Sequence, residues 1–209
     1  MNSPMGLRIR TNVAAMTTRG HLSRRTREVE ESYARLASGL RITRAGTDPA
    51  GLAQSERLRV RTRSLAVAQR NIADGKGLLD VAESAVQGIG QEVVRMRELA
   101  IRAASATLTA DDRAIIQTEV DQRTEEINRM IDSVQFSDFL VLDGERVEIQ
   151  IGIDSDEFVT FGLPNARVSS LQDVLTTDLT TSDAASASLN NIDRAIRWVA
   201  RESGSIGSW

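Results

Sequence analysis

The clearest pattern in the chain is a seven-residue repeat of apolar positions. Leu58, Leu65, Ile72, Leu79, Val86 and Val93 are spaced by seven, and Ala100 continues the series. Three residues after each lie Arg61, Ala68, Gly75, Ala82, Ile89, Met96 and Ala103. Six successive heptads with Arg61 and Gly75 as the only defects predict a helix whose narrow seam supercoils against partners. Asp48 is placed to cap this helix and Pro49 suits its first position. The helix is expected to end near residues 104–107, a rod roughly 80 Å long at 1.5 Å per residue. A second helix starts at Thr109, with Asp112 three residues on as a capping-box pair. Its apolar positions Ile116, Val120, Ile127, Met130 and Val134, with Arg123 filling the gap, step by four and three. The short link at 106–110 predicts that it folds back antiparallel on the first rod.

The flanking segments read less strongly. Ala15, Leu22, Val29 and Leu36 are seven apart, but Thr18, Arg25 and Ser32 lie between them, so a helix here buries little and needs partners. Val147, Ile149 and Ile151 alternate with Glu148 and Gln150, residues 158–163 read as a second short strand, and 154–156 as the turn, which together predict a small hairpin. A last helix begins near Ser182, with Ala185, Leu189, Ile192, Ile196 and Val199 as its apolar stripe, and gives way to a polar, Gly-rich tail from Glu202. The expected fold is mainly α: an elongated antiparallel coiled-coil helical rod with a small β-hairpin module. Its parts are an N-terminal helix at 1–44, for which the family resemblance described below implies disorder in the monomer, a helical hairpin at 45–140, the β module at 141–180 and the start of a further helix at 181–209.

Composition sharpens this picture. Aromatics are 3% of 209 residues, so the core rests on Ala, Leu, Ile and Val, a mix that favours packed helices. No cysteine is present, which excludes disulfides, zinc–thiolate sites and a cysteine nucleophile. No run of 18 apolar residues exists, so no transmembrane helix is expected, and residues 1–15 have no apolar core of a cleaved signal. The charge is lopsided: residues 1–70 hold 14 arginines against 5 acids, and 71–209 hold 12 basic and 24 acidic groups. Lys76 is the only lysine. A basic N-terminal third suits nucleic acid, or complementary packing against acidic segments of like chains. The second is favoured, because the arginines sit in a helical pattern without aromatic stacking partners.

Candidate chemistry is sparse. His21 is the only histidine and has no nucleophile or carboxylate pattern around it. Asp111 and Asp112 read as a helix cap, and the acids at 154–157 lack the ligand spacing of a calcium loop. No catalytic residue, metal site or cofactor is expected. Arg41, Arg44, Asp48 and Glu56 flank the junction between the first helix and the rod, as inter-subunit ion pairs or as solvated charges of little weight.

Several stretches resemble the flagellin family. Gly6-Leu7-Arg8-Ile9-Arg10-Thr11-Asn12-Val13 is similar to its N-terminus. Leu36-Ala37-Ser38-Gly39-Leu40-Arg41-Ile42, Ala45-Gly46-Thr47-Asp48-Pro49-Ala50-Gly51-Leu52-Ala53, Arg70-Asn71-Ile72-Ala73-Asp74-Gly75, Arg95-Met96-Arg97-Glu98-Leu99-Ala100 and Phe136-Ser137-Asp138-Phe139-Leu140-Val141-Leu142-Asp143-Gly144 follow in the family's order. The resemblance covers about 6–163, and 185–207 more weakly. It departs from the family at 1–4, which precede the usual start, and at Ser137-Asp138, which stand where the family has Asn-Gly. At 206–207 the chain stops where about sixty further residues of a C-terminal helix are expected, which reads as a truncated product or a fragment.

The resemblance implies a structural subunit that polymerises into the bacterial flagellar filament for motility, with no enzymatic activity. It implies self-association through helix packing, export unfolded through the flagellar type III apparatus without a cleaved signal, and an extracellular location on the flagellum. It also implies that Arg95, Leu99 and Glu119 correspond to a patch that a vertebrate Toll-like receptor binds, the same face that contacts the neighbouring subunit. No nucleic acid or membrane partner is expected. Rival readings are a hook–filament junction protein of the same broad family and a basic coiled-coil protein that binds nucleic acid.

Overall fold

The computed structural model describes residues 12–209, and the N-terminal motif at 6–11 and the additional residues 1–4 lie outside the described residues. The described chain forms two compact units, the first ending at Thr62 and the second spanning Arg63–Trp209. Helix α2, Pro49–Ala103, passes from one into the other without a break.

In the first unit, α1 runs Val13–Ser38. Asn12 caps it, its side-chain oxygen accepting from the Ala15 N–H at 3.0 Å, and Gly39 closes it in the left-handed region at φ 66°. None of its 26 residues is buried. The polar positions Thr18 and Ser32 turn their hydroxyls back onto the carbonyls of Ala14 and Glu28, which leaves the stripe of Leu22, Val29 and Leu36 in solvent. The Asp48 carboxylate accepts from the Gly51 N–H at 2.8 Å and starts α2 at Pro49, as expected.

The second unit holds the core. Helix α2 contributes Ala82, Val86, Ile89, Val93, Met96, Ala100 and Ala103, the expected heptad positions, all buried. Leu78, Ala85 and Leu99 are buried as well, so the apolar face is wider than a two-position seam. The reason is packing on more than one side: α3, Ala110–Ser133, and α5, Ser182–Ile206, both cover α2, and the strand module closes on Gly75. A Cβ added at Gly75 would lie 2.1 Å from Ile149 Cδ1, and one at Gly90 2.9 Å from Val199 Cγ1. The heptad defect at Gly75 is therefore the place where the side chain of Ile149 seats on the helix backbone.

Helix α3 starts in a complete capping box, with Thr109 and Asp112 each accepting from the other's backbone N–H. Ile116, Val120 and Ile127 are buried, and Ile131 joins them, while Met130 and Val134 are half-buried. The contacts of Gly88 with Met130, Glu92 with Arg123 and Arg95 with Glu119 run in opposite senses along the two helices, the expected antiparallel pairing.

The 135–180 region is richer than a single hairpin. Strands β1, Gln135–Phe136, and β2, Phe139–Leu140, form a tight hairpin whose Ser137 takes φ 53°. Strands β3, Arg146–Gln150, and β4, Phe158–Gly162, make the expected antiparallel pair, with Ile149 opposite Val159. Ile151 falls just beyond β3 and is exposed. A short helix α4, Ser169–Leu175, follows and buries Leu171 and Val174. In α5 the structure corrects the expected tail: the helix continues through Gly204 to Ile206, because Ile206 is buried against the core and holds the last turn. The largest buried side chain of all, Trp198, lies on α5 between the positions expected to face inward.

Candidate assembly interface

The seam residues divide into two groups. Val86, Val93, Ile116, Val120 and Ile127 are buried, and Leu79 and Met130 pack half-buried against them. Leu58, Leu65 and Ile72 stand on the same seven-residue line but are 55%, 46% and 48% exposed. Within the second unit, Ile72 leads into a groove of about 540 Å³ lined by Leu79 from α2, Ile149, Ile151, Val159 and Phe161 from the hairpin, and Ile206 and Trp209 from the chain's end. The Phe161 and Trp209 rings stand 6.3 Å apart between centroids. Chemically this is a surface for apolar helix packing, since the line continues a buried stripe without change of period.

The far end of α2 is locked by polar side chains. Arg113 donates to three backbone carbonyls in the link to α3: Nε to Ala103 at 2.9 Å, Nη1 to Leu108 at 2.9 Å and Nη2 to Ser105 at 2.8 Å. These include carbonyls that the helix end leaves without an intrahelical partner. Gln117 accepts from the Leu179 N–H at 2.7 Å and donates to the Thr177 carbonyl at 3.1 Å, tying the α4–α5 link to α3. Ser182 donates to the Ala104 carbonyl at 2.7 Å. None of these contacts is periodic in sequence, so no pattern pointed to them.

Arg95 and Glu119 meet across α2 and α3. Arg95 Nε and Nη2 donate to Glu119 Oε1 at 3.0 and 2.8 Å, and Nη1 reaches Glu98 at 3.0 Å. The pairing with Glu119, and next with Glu98, raises the Arg95 pKa above its ordinary value. Arg123 Nη1 donates to Glu92 at 3.2 Å and its Nη2 lies 3.7 Å from Glu119, so four charges link the two helices. Leu99 does not share this surface. It is 2% exposed, at the edge of the widened core stripe, so the patch presents Arg95 and Glu119 without it. His21 is exposed on α1, and of the junction residues Glu56 pairs with Arg59 at 2.8 Å.

Asp112 offers a test of the α3 start. Its carboxyl sits below the usual carboxylate range because the Thr109 hydroxyl, and then the Thr109 N–H, donate to it. Asp178 is lowered likewise by the N–H and hydroxyl of Thr180. A carboxylate with a depressed folded-state pKa stabilises the fold above its unfolded value, about 4, and loses that contribution as pH falls through the folded value. The thermal unfolding temperature is therefore expected to fall as pH is lowered below about 4, with a shallower fall in Asp112→Asn. An identical pH slope in wild type and variant would contradict the assigned cap.

Among the described residues no three His, Cys, Asp or Glu side chains are placed to hold a metal ion, and no helix is long and apolar enough to cross a membrane. A family model described as the bacterial flagellin N-terminal helical region matches residues 9–146. The flagellin of Halalkalibacterium halodurans is 33% identical over 203 residues, 96% of this chain and 75% of that protein. Flagellin E of Vibrio cholerae is 35% identical over 170 residues, 80% of this chain but only 45% of its own length. Among solved structures, Bacillus cereus flagellin matches with a TM-score of 0.60 at 27% identity, over 67% of this chain and 82% of that one. A putative flagellar hook-associated protein from Vibrio parahaemolyticus shares the fold, with a TM-score of 0.65 at 16% identity over 79% of this chain and 88% of its own.

Proposed function

Given that this chain belongs to the bacterial flagellin family, we propose that it enters the flagellar filament by burying the exposed part of its α2 heptad line against helices of the assembly. Flagellins are structural subunits that polymerise, not enzymes, and the nucleic-acid and hook-junction readings are not favoured. The observation that carries the mechanism is the change of exposure along one unbroken period. Val86 and Val93 are buried within the chain, whereas Leu58, Leu65 and Ile72 are not. Fully burying a leucine or isoleucine from water contributes roughly 1.5–3 kcal/mol, and these three are already about half-buried, so each adds roughly 1 kcal/mol to association. Helix α1, with no buried residue, is held by the same kind of packing, because an isolated helix with a polar d row is marginal in water.

Family membership supports two finer partners. The subunit leaves the cell through the flagellar export apparatus, a reading supported by its family. The Arg95–Glu119 pair offers a charged surface for a host innate immune receptor, supported by its partial exposure across two helices. Arg95→Ala tests that role without disturbing Leu99 in the core.

The assembly claim is tested by seeded growth on flagellar filament fragments, followed by electron microscopy. Wild-type chain is expected to extend the seeds, and Leu58→Asp with Leu65→Asp to stop growth while leaving the circular dichroism unchanged. Growth of the double variant at the wild-type rate would show that the α2 line is not the contact.

A further inference from the structure

One position of the α2–α3 seam departs from the apolar rule. Arg123 stands three residues after Val120 and four before Ile127, which are both buried, so it lies within the inward stripe of α3. Its Nε is buried and finds no hydrogen-bond partner. Only the tip is answered. Nη1 donates to Glu92 at 3.2 Å, and Nη2 lies 3.7 Å from Glu119, four residues back on its own helix. The link from Arg123 to α2 therefore rests on Glu92. An apolar side chain of similar length would fill the same place without an unpaired N–H and without desolvating a charge. The surroundings of Glu92 show what the arginine contributes instead. A step of three or four residues along the facing side of α2 reaches Ile89 or Met96, and a full heptad reaches Ala85 or Leu99. All four are buried and apolar. The rest of the seam is aliphatic on both helices at nearly constant spacing, so shifted pairings bury comparable surface. Each such shift strips the Arg123 guanidinium of Glu92 and sets it against hydrocarbon. The Arg95–Glu119 pair lies at the more exposed rim and discriminates less.

We propose that Arg123 is the register-determining residue of the α2–α3 pairing, holding α3 to the one alignment that sets Glu92 beside it. The chain gives up stability for that choice, as a single polar seam residue does in coiled coils. The consequence for assembly rests on the filament reading above. Copies that meet during growth carry the same exposed line at Leu58, Leu65 and Ile72, and a wholly aliphatic α3 would pair out of step with α2 of its own chain or of a neighbour. Arg123 is thus a positioning residue: it touches no partner in the filament but fixes the height at which α3 and its surface groups are presented.

The test uses the full chain with Ser84→Cys and Asn128→Cys, exposed positions on α2 and α3 that carry the only thiols, each bearing a nitroxide spin label. After refolding from urea, the chain with Arg123 intact is expected to show one narrow label-to-label distance and to grow on filament seeds. Arg123→Met is expected to raise the urea midpoint by about 0.5 M. It is also expected to add a second population, with the labels offset along the helix by about 5 or 10 Å, half a heptad or a whole one, and to lose seeded growth as that population rises. Arg123→Lys keeps the charge and is expected to keep the single distance. One unchanged distance in Arg123→Met overturns the proposal, and a lowered midpoint with it would make Arg123 an ordinary stabilising ion pair. A second population in Arg123→Lys overturns it too, since the charge would then not select the register. Failure of the chain with Arg123 intact to grow on seeds overturns the filament reading instead, while the distances and midpoints still decide the register role.

Discussion

Trp198→Ala is expected to destabilise the second unit by about 3–5 kcal/mol, the largest effect of any single truncation in the chain. Trp198 is 1% exposed and is the largest fully buried side chain among the described residues, in a core made mostly of Ala, Val, Ile and Leu. A small neighbour one turn before it, Ala195 on the same helix, cannot expand to refill the space. Its indole N–H has no hydrogen-bond partner in the structure. Trp198→Phe removes that unsatisfied donor and keeps most of the apolar volume, so it is expected to cost much less than the alanine change. Urea unfolding followed by circular dichroism separates the two. Equal losses for Ala and Phe would mean that the apolar volume a phenyl ring retains does not decide the effect, which would contradict the packing account.

Arg113→Ala is expected to cost roughly 2–3 kcal/mol, because losing a charged donor leaves the Ala103 and Leu108 carbonyls without it and the Ser105 carbonyl with only the Leu108 N–H at 3.4 Å. The carbonyls of Ala103, Ser105 and Leu108 lie around the α2–α3 link, and one planar guanidinium reaches all three. Arg113→Lys should recover little of the loss, since a single ammonium on a flexible stem cannot span them. Hydrogen exchange of the amides in 104–110 would localise the effect. Full protection of that link in Arg113→Ala would rule out the clamp.

The long helices were legible because their signals are local and repeated. Six heptads fix α2, and Thr109 with Asp112 fixes the start of α3, since a cap needs only residues three apart. What escaped depends on distant partners. Gly75 looks like a defect until Ile149, far along the chain, is seen resting on it. Trp198 and Ser188 are buried on α5 although the apolar stripe of Leu189, Ile196 and Val199 suggested a neighbouring face, because α5 is packed on a broad surface and not on a single line. Helix α4 is too short for periodicity to announce, and the Gly-rich stretch before Ile206 stays helical only because that isoleucine has somewhere to be buried. For the functional surface, the heptad line is periodic in sequence but its split into a buried and an exposed part is not, and Leu99, expected on the outer patch, belongs to the core. Two residues four apart on a helix are neighbours, but the rim of a wide core stripe can pass between them.

The absence of cysteine makes one measurement especially direct. Leu65→Cys would be the only thiol in the chain and can carry a polarity-sensitive fluorophore on the exposed part of the α2 line. In the free subunit the probe is expected to report water. On seeded incorporation into filaments its emission is expected to shift to the blue and to become resistant to aqueous quenchers, as the line is buried. Filaments that incorporate the labelled subunit while the probe remains fully quenched would contradict the account, because the α2 heptad line would then still face solvent after assembly.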